Sequence, residues 1–305
     1  MSKKLLITGG TGLIGSYLKK IIPEGTYVSS KDYNLIKETD VKKMFRDIQP
    51  NIVIHLAAMV GGVHHNIEEP VKYLEENILM NTLVLRESFK NKVERFTGML
   101  SSCIYPDKLS NYPITEDKLI EGAPHQDLFS YSYAKRCLAI QIDMYNKKYN
   151  TNYNYLIPCN LYGEYDKFDA VKGHFVGALI DKIYKAKKMN KNKIVLFGDG
   201  TPLRQFMHAK DVANIIKAMI INDKFINMNI ATEENYTIDK IAKIALKVCE
   251  AEDLKIEYDS SKPNGQMRKD IDTSKFKNNF SDLNLINLSE GIKEIFEKKK
   301  GNENG

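Results

Sequence analysis

The chain has 305 residues, 43% apolar and 28% charged, which suits a globular protein with one large domain or two unequal ones sharing a core. Its net charge of +6 comes from lysines spread along the chain without interleaved aromatics. These read as solvated helix faces and a mildly positive field for an anionic substrate, not as a nucleic-acid surface. No apolar run approaches the ~18 residues a membrane span needs, no signal peptide opens the chain, and Cys103, Cys137, Cys159 and Cys249 lack metal-ligand or paired spacing. The expectation is a soluble cytoplasmic protein without metal, membrane or nucleic-acid partners.

In chain order, Lys4–Ile7 is a short apolar run ending in glycines, the signature of a buried parallel strand. Helical spacing follows over Leu13–Ile22 and stops near Pro23. Tyr27–Ser29 is a second strand, Val41–Ile48 a helix, and Asn51–Leu56 a third strand. Helix 71–89, strand 95–101, helix 131–149 and strand 154–158 continue the alternation. Such alternation predicts an α/β fold with a Rossmann doubly wound parallel sheet, covered on both faces. Past Gly163 it loosens into helices at 173–188, 209–221 and 237–250, separated by strands at 194–197, 226–230 and 256–258. We therefore expect a dinucleotide-binding domain over 1–163, with 206–232 returning to it. A smaller mixed α/β substrate cap takes 164–205 and 233–305, and the polar tail from Lys298 frays.

The loop after the first strand reads Thr8-Gly9-Gly10-Thr11-Gly12-Leu13-Ile14-Gly15. Glycines at 9, 12 and 15 allow a tight turn and close backbone approach, and the helix N-terminus offers free N–H groups to a diphosphate. The end of the second strand selects the cofactor. NAD binders place an acid there for the ribose hydroxyls, but here it runs into Ser29-Ser30-Lys31, which suits a 2′-phosphate. NADP(H) is favoured, although Asp32 keeps NAD open.

Tyr131 and Lys135 form Tyr-x-x-x-Lys, and residues four apart share a helix face. A nearby ammonium would lower the tyrosine pKa for proton transfer. Tyr133 is a decoy, because its i+4 partner is Cys137. Ser101, at the end of a strand and therefore facing the ligand crevice, could hydrogen-bond a substrate oxygen beside Tyr131. His55 reads as structural, and Cys137, Cys159 and Cys249 as packing residues.

The phosphate loop, His55-Leu56-Ala57-Ala58 with Val60-Gly61-Gly62, Ser101-Ser102-Cys103-Ile104-Tyr105-Pro106, Tyr-x-x-x-Lys, Pro158-x-Asn160-Leu161-Tyr162-Gly163 and Gly200-Thr201-Pro202-x-Arg204 occur in that order. Together they resemble the GDP-L-fucose synthase family of extended short-chain dehydrogenases, the GDP-4-keto-6-deoxymannose 3,5-epimerase–4-reductases. The resemblance implies an NADPH-dependent enzyme acting on a GDP-sugar, paired as a homodimer through the helices at 71–89 and 131–149. It implies Tyr131 as proton donor to the C4 oxygen, Lys135 as its modulator and ribose anchor, and Ser101 as the residue orienting the ketone. Cys103 and His174, in Lys172-Gly173-His174-Phe175, would be epimerisation base and acid, since a C4 ketone acidifies the protons at C3 and C5. Further cofactor contacts would come from the phosphate loop, Lys31, Asp40, Leu56, Ala57, Ala58, Pro158, Asn160, Leu161 and His174. Substrate contacts would come from Ser102, Cys103, Asn160, Lys182, Phe197, Arg204, Asn264 and Arg268.

Four places depart from the family pattern. Thr11 stands where a basic residue is common, Lys182 for arginine, Phe197 for tryptophan, and His64-His65 for small residues before an asparagine. The last change, near the sugar, leaves open a C4 reductase without epimerase activity that acts on a GDP-4-keto-heptose. A 4,6-dehydratase would carry Asp-Glu where Ser102-Cys103 stands. A nucleotide-sugar 4-epimerase and a non-catalytic NADP sensor are the remaining readings, the sensor disfavoured by the intact Tyr131 and Lys135.

Overall fold

The computed structural model describes residues 3–166 and 173–303, without the side chains of His64, Asn302 and Glu303; Lys172 of the Lys-Gly-His-Phe motif lies outside the described residues. In chain order the first half runs β1 (Leu5–Thr8), α1 (Leu13–Ile21), β2 (Thr26–Val28), α2 (Glu38–Ile48), β3 (Ile52–His55), α3 (Val63–Glu68), α4 (Pro70–Lys90), β4 (Arg95–Met99), α5 (Phe129–Tyr149), β5 (Tyr153–Pro158) and β6 (Asn160–Tyr162). The second half runs α6 (Phe175–Lys188), β7 (Lys193–Phe197), β8 (Leu203–Arg204), β9 (Phe206–His208), α7 (Ala209–Ile221), β10 (Met228–Ile230), β11 (Tyr236–Thr237), α8 (Ile238–Val248), β12 (Lys255–Asp259), α9 (Ser274–Asn279) and α10 (Leu288–Glu303).

Six strands form one parallel sheet in the order β10-β5-β4-β3-β1-β2. The strands leave from the middle in both directions, so the order reverses beside β1, and ligands bind at such a switch point. Every residue of β1, β3 and β5 is buried, as a doubly covered parallel sheet requires. α2 starts three residues earlier than its apolar spacing shows, because Glu38 and Asp40 suit the positive end of the helix dipole. β4 ends at Met99 and not Ser101, because the Ser101 hydroxyl accepts from Cys103 N–H and caps a 3₁₀ turn over Ser102–Ile104.

A second core gathers Val176, Ile180 and Ile183 of α6, Ile194 of β7, Ile241 and Leu246 of α8, and Ile292 and Phe296 of α10. Two expectations change here. The tail from Lys298 does not fray through residue 303: α10 continues, with Lys298 paired to Glu164 and Lys299 to Asp181. Ile271, Phe276 and Phe280, expected in the cap, pack instead in the first core. No described helix is long and apolar enough to cross a membrane.

Candidate active site

A cleft of about 1370 Å³ opens where the parallel strands end, and residues following β1, β2, β3, β4 and β5 all line it. Its phosphate side is built from backbone. Gly9 holds φ +72°, and a Cβ there would meet Ala57 N at 2.8 Å. Gly15 lies against the loop so closely that a Cβ would stand 2.5 Å from the Gly9 carbonyl oxygen. The N-terminus of α1 carries no side-chain cap and no acidic residue in its first turn. Its free N–H groups and dipole fit a diphosphate. Gly9, Thr11, Gly12, Leu13 and Ile14 line the cleft, whereas Gly10 and Gly15 act behind it as packing positions.

Ser29 and Ser30 line the cleft at the end of β2; Lys31, the next residue, is exposed and does not line it. Asp32 accepts from both the backbone N–H and the hydroxyl of Ser29 at 2.8 Å, and these bonds hold its carboxyl below the usual range. An acid turned back on its own loop does not present itself to ribose hydroxyls, which fits a 2′-phosphate better than a bare ribose. Asp40 does not line the cleft; it accepts from Asn34 N–H at 3.0 Å and braces a neighbour that does.

His55 is structural, as expected. Thr8 accepts from Ala57 N–H at 3.3 Å and donates to His55 Nδ1 at 2.7 Å; Nε2–H then donates to Asn81 at 3.0 Å. Burial pushes His55 down to about 3, so the ring is neutral and ties Leu56-Ala57-Ala58 to α4. Asn77 holds the next residue, exchanging hydrogen bonds with both Met59 N–H and C=O at 3.0 Å.

Ser101, Cys103, Tyr131 and Lys135 meet on one wall of this cleft. Lys135 is buried, donates to the Met99 carbonyl at 2.7 Å, and places its ammonium 5.7 Å from the centre of the Tyr131 ring. Burial lowers Lys135 to about 8. Burial, then the Cys103 and Tyr73 groups, push the Tyr131 phenol well above its ordinary value. A phenol so held stays protonated, the form a proton donor needs. Ser102 is buried behind this wall and does not line the cleft.

His174, at the N-cap position of α6, also lines the cleft, and its Nδ1–H donates to Asp166 at 2.9 Å, which orients the ring. Pro158, Asn160, Leu161, Lys182, Phe197, Arg204 and Asn264 also line the cleft. Lys182 donates to the Val195 carbonyl at 2.7 Å and sits 5.0 Å over the Phe197 ring. Asn264 accepts from Asp199 N–H at 2.8 Å.

Arg268 is not brought to the cleft. Its guanidinium grips Asp270 at 2.6 and 3.0 Å and stacks on Tyr112. Lys269, one residue on, takes the place beside Arg204. Burial and the Arg204 charge lower Lys269 to about 8, and burial lowers Arg204 to about 10. Lys269 escaped sequence reading because Arg-Lys neighbours carry equal charge, and only the backbone direction after Gly265 decides which one faces inward.

The family described as "NAD dependent epimerase/dehydratase family" matches residues 5–231. The chain is 34% identical to GDP-L-colitose synthase of Yersinia pseudotuberculosis, covering 98% of this chain and 100% of that one. It is 32% identical to GDP-L-fucose synthase of Dictyostelium discoideum, covering 96% and 93%. Among solved structures, a GDP-L-fucose synthetase from Naegleria fowleri bound to NADP superposes with a TM-score of 0.89 at 31% identity, over 99% of this chain and 94% of that one.

Proposed function

From the membership of this chain in the NAD dependent epimerase/dehydratase family, we propose that it is an NADPH-dependent reductase of the C4 ketone of a GDP-linked 4-keto sugar, with epimerisation at C3 and C5. The observation that carries the reading is that Ser101, Cys103, Tyr131 and Lys135 line the same cleft as Arg204 and Lys269. The cleft thus holds proton-transfer groups together with cations for a diphosphate.

The glycine loop, the uncapped start of α1 and the serines after β2 would hold NADP(H), which when bound supplies the hydride to C4. Tyr131 gives its phenolic proton to the C4 oxygen, and Lys135 holds the polarity of that corner. Ser101 donates a hydrogen bond to the same oxygen, placing the carbonyl. Cys103 takes the acidified proton at C3 or C5 on its sulfur, and His174 returns one from the opposite side. Arg204 and Lys269 take the diphosphate, and Phe197 with Lys182 gives the base a face to lie against. A homodimer in the cytoplasm completes the reading; its pairing through α4 and α5 is supported by the exposed Leu79 of α4 and Ile140 and Met144 of α5.

The test is NADPH oxidation with GDP-4-keto-6-deoxymannose in deuterated water. Expected are cofactor oxidation and deuterium at C3 and C5. Tyr131→Phe should slow oxidation by about 10²- to 10⁴-fold while NADP still binds. Cys103→Ser should remove deuterium but leave reduction. Unchanged turnover in Tyr131→Phe would overturn the assignment.

A further inference from the structure

Resting on that reading, we infer that Asn66, Asp127 and His125 form a subsite for a hydroxylated exocyclic carbon of the sugar, so that the preferred substrate carries a hydroxyl where a 6-deoxy sugar has a methyl. Three observations carry it.

The first is an unanswered acceptor. Asn66 is 4% exposed; its amide N–H₂ donates to the Gly61 and Gly62 carbonyls at 3.2 and 3.1 Å, which fixes the amide orientation. Its Oδ1 is then buried without a hydrogen-bond partner while the residue lines the cleft. A buried acceptor left unmade costs stability, so such a group points to a donor that arrives with a ligand.

The second is the charge beside it. α3 packs against the 3₁₀ turn Gln126–Leu128, which leads into α5 and Tyr131. Asp127 and His125 of that segment line the same cleft. His125 Nδ1 accepts from Asp127 N–H at 3.3 Å, and its ring stands 3.6 Å from the Asp127 carboxylate. A methyl group pressed on these groups would strip water from a carboxylate without replacing it, whereas a hydroxyl would donate to it.

The third is space in the right direction. In the proposed function the diphosphate that carries C1 lies on Arg204 and Lys269 and C4 lies at Tyr131; we place the exocyclic arm on C5 toward Asn66 and Asp127, which line the same cleft. A second depression of about 640 Å³ continues from the cleft there, sharing Asn66, Ile67 and Asp127 with it and extending to Pro70 and Phe129.

The experiment is calorimetric binding to the holoenzyme with NADP of two matched pairs of stable nucleotide sugars that differ only at C6. These are GDP-L-galactose against GDP-L-fucose, and GDP-mannose against GDP-D-rhamnose. The hydroxylated member should bind about tenfold or more tightly in at least one pair, the worth of a hydrogen bond to a charged acceptor. Asp127→Ala should close that gap by weakening the hydroxylated member. Should Asp127→Ala fold poorly, as its melting temperature would reveal, the wild-type gap and Asn66→Ala decide. Equal or weaker binding of both hydroxylated members, with GDP itself bound, overturns the subsite and leaves the proposed function standing. A wild-type gap that neither variant closes overturns the residue assignment. Absence of binding by GDP and all four sugars overturns the proposed function itself.

Discussion

The phosphate wall and the sugar wall of one cleft are made of different materials. The first is backbone: glycines, an open helix end and a tight turn within a dozen residues after β1, braced by Ala57 from the next strand. The second is side chain, brought from α3, the turn before α5, α6, β8 and the loop at Asn264 to Lys269. A wall of backbone tolerates almost no added atom, because its spacing is its function. A wall of side chains tolerates change, and changes what it recognises.

The largest expected effect tests that contrast directly. Gly15→Ala puts a methyl into the Gly9 carbonyl, where nothing flexible yields. It should cost about 3 kcal/mol of stability and roughly 100-fold in NADP affinity, read by thermal melting and calorimetry. Normal affinity would mean the loop is softer than its spacing implies.

On the side-chain wall, Lys269→Met should raise KM for the GDP-sugar by about 10- to 100-fold with kcat little changed. Arg268→Ala, whose guanidinium already belongs to Asp270, should change KM by less than about threefold. The reverse ranking would return Arg268 to the substrate site.

A pH series sharpens the same contrast. Lys269 and Lys135 are each lowered to about 8. Above that pH the free enzyme loses Lys269's attraction for the diphosphate and Lys135's charge beside Tyr131, so kcat/KM should fall. In Lys269→Arg the KM should stay flat to higher pH, while the fall in kcat attributable to Lys135 remains. A KM that still rises near pH 8 in that variant would remove Lys269 from substrate binding.

The smallest effect belongs to the cofactor rim. Lys31 is exposed, so Lys31→Glu should weaken NADP by about 3- to 10-fold and NAD by less, an effect that shrinks with salt. Equal losses would place the 2′-phosphate on Ser29 and Ser30 alone.

Most of the central sheet was legible, because buried parallel strands are continuous apolar runs and glycine marks their ends; α7 was placed to the residue. Other elements were less so. The short strands β8, β9 and β11 leave too few residues for periodicity to register. α10 carries Leu288, Ile292, Ile295 and Phe296 on one face, yet its lysine-rich end looks like a solvated tail until Glu164 and Asp181 are seen beneath it. The Tyr131–Lys135 spacing could be read from the sequence, but the burial that raises the phenol could not, because it depends on residues far along the chain.

By itself the sequence determined what is local: the glycine turn, the alternation of the main strands and helices in the first half, and the Tyr131–Lys135 face. Each depends on residues within a few positions of one another, where backbone geometry leaves little choice. Only tertiary structure decided that Lys269 and not Arg268 lines the cleft, that Asp32 is spent on Ser29, and that Asn66 Oδ1 is buried without a partner. Those outcomes depend on desolvation and on partners far along the chain, which exist only once the two cores have closed on the cleft.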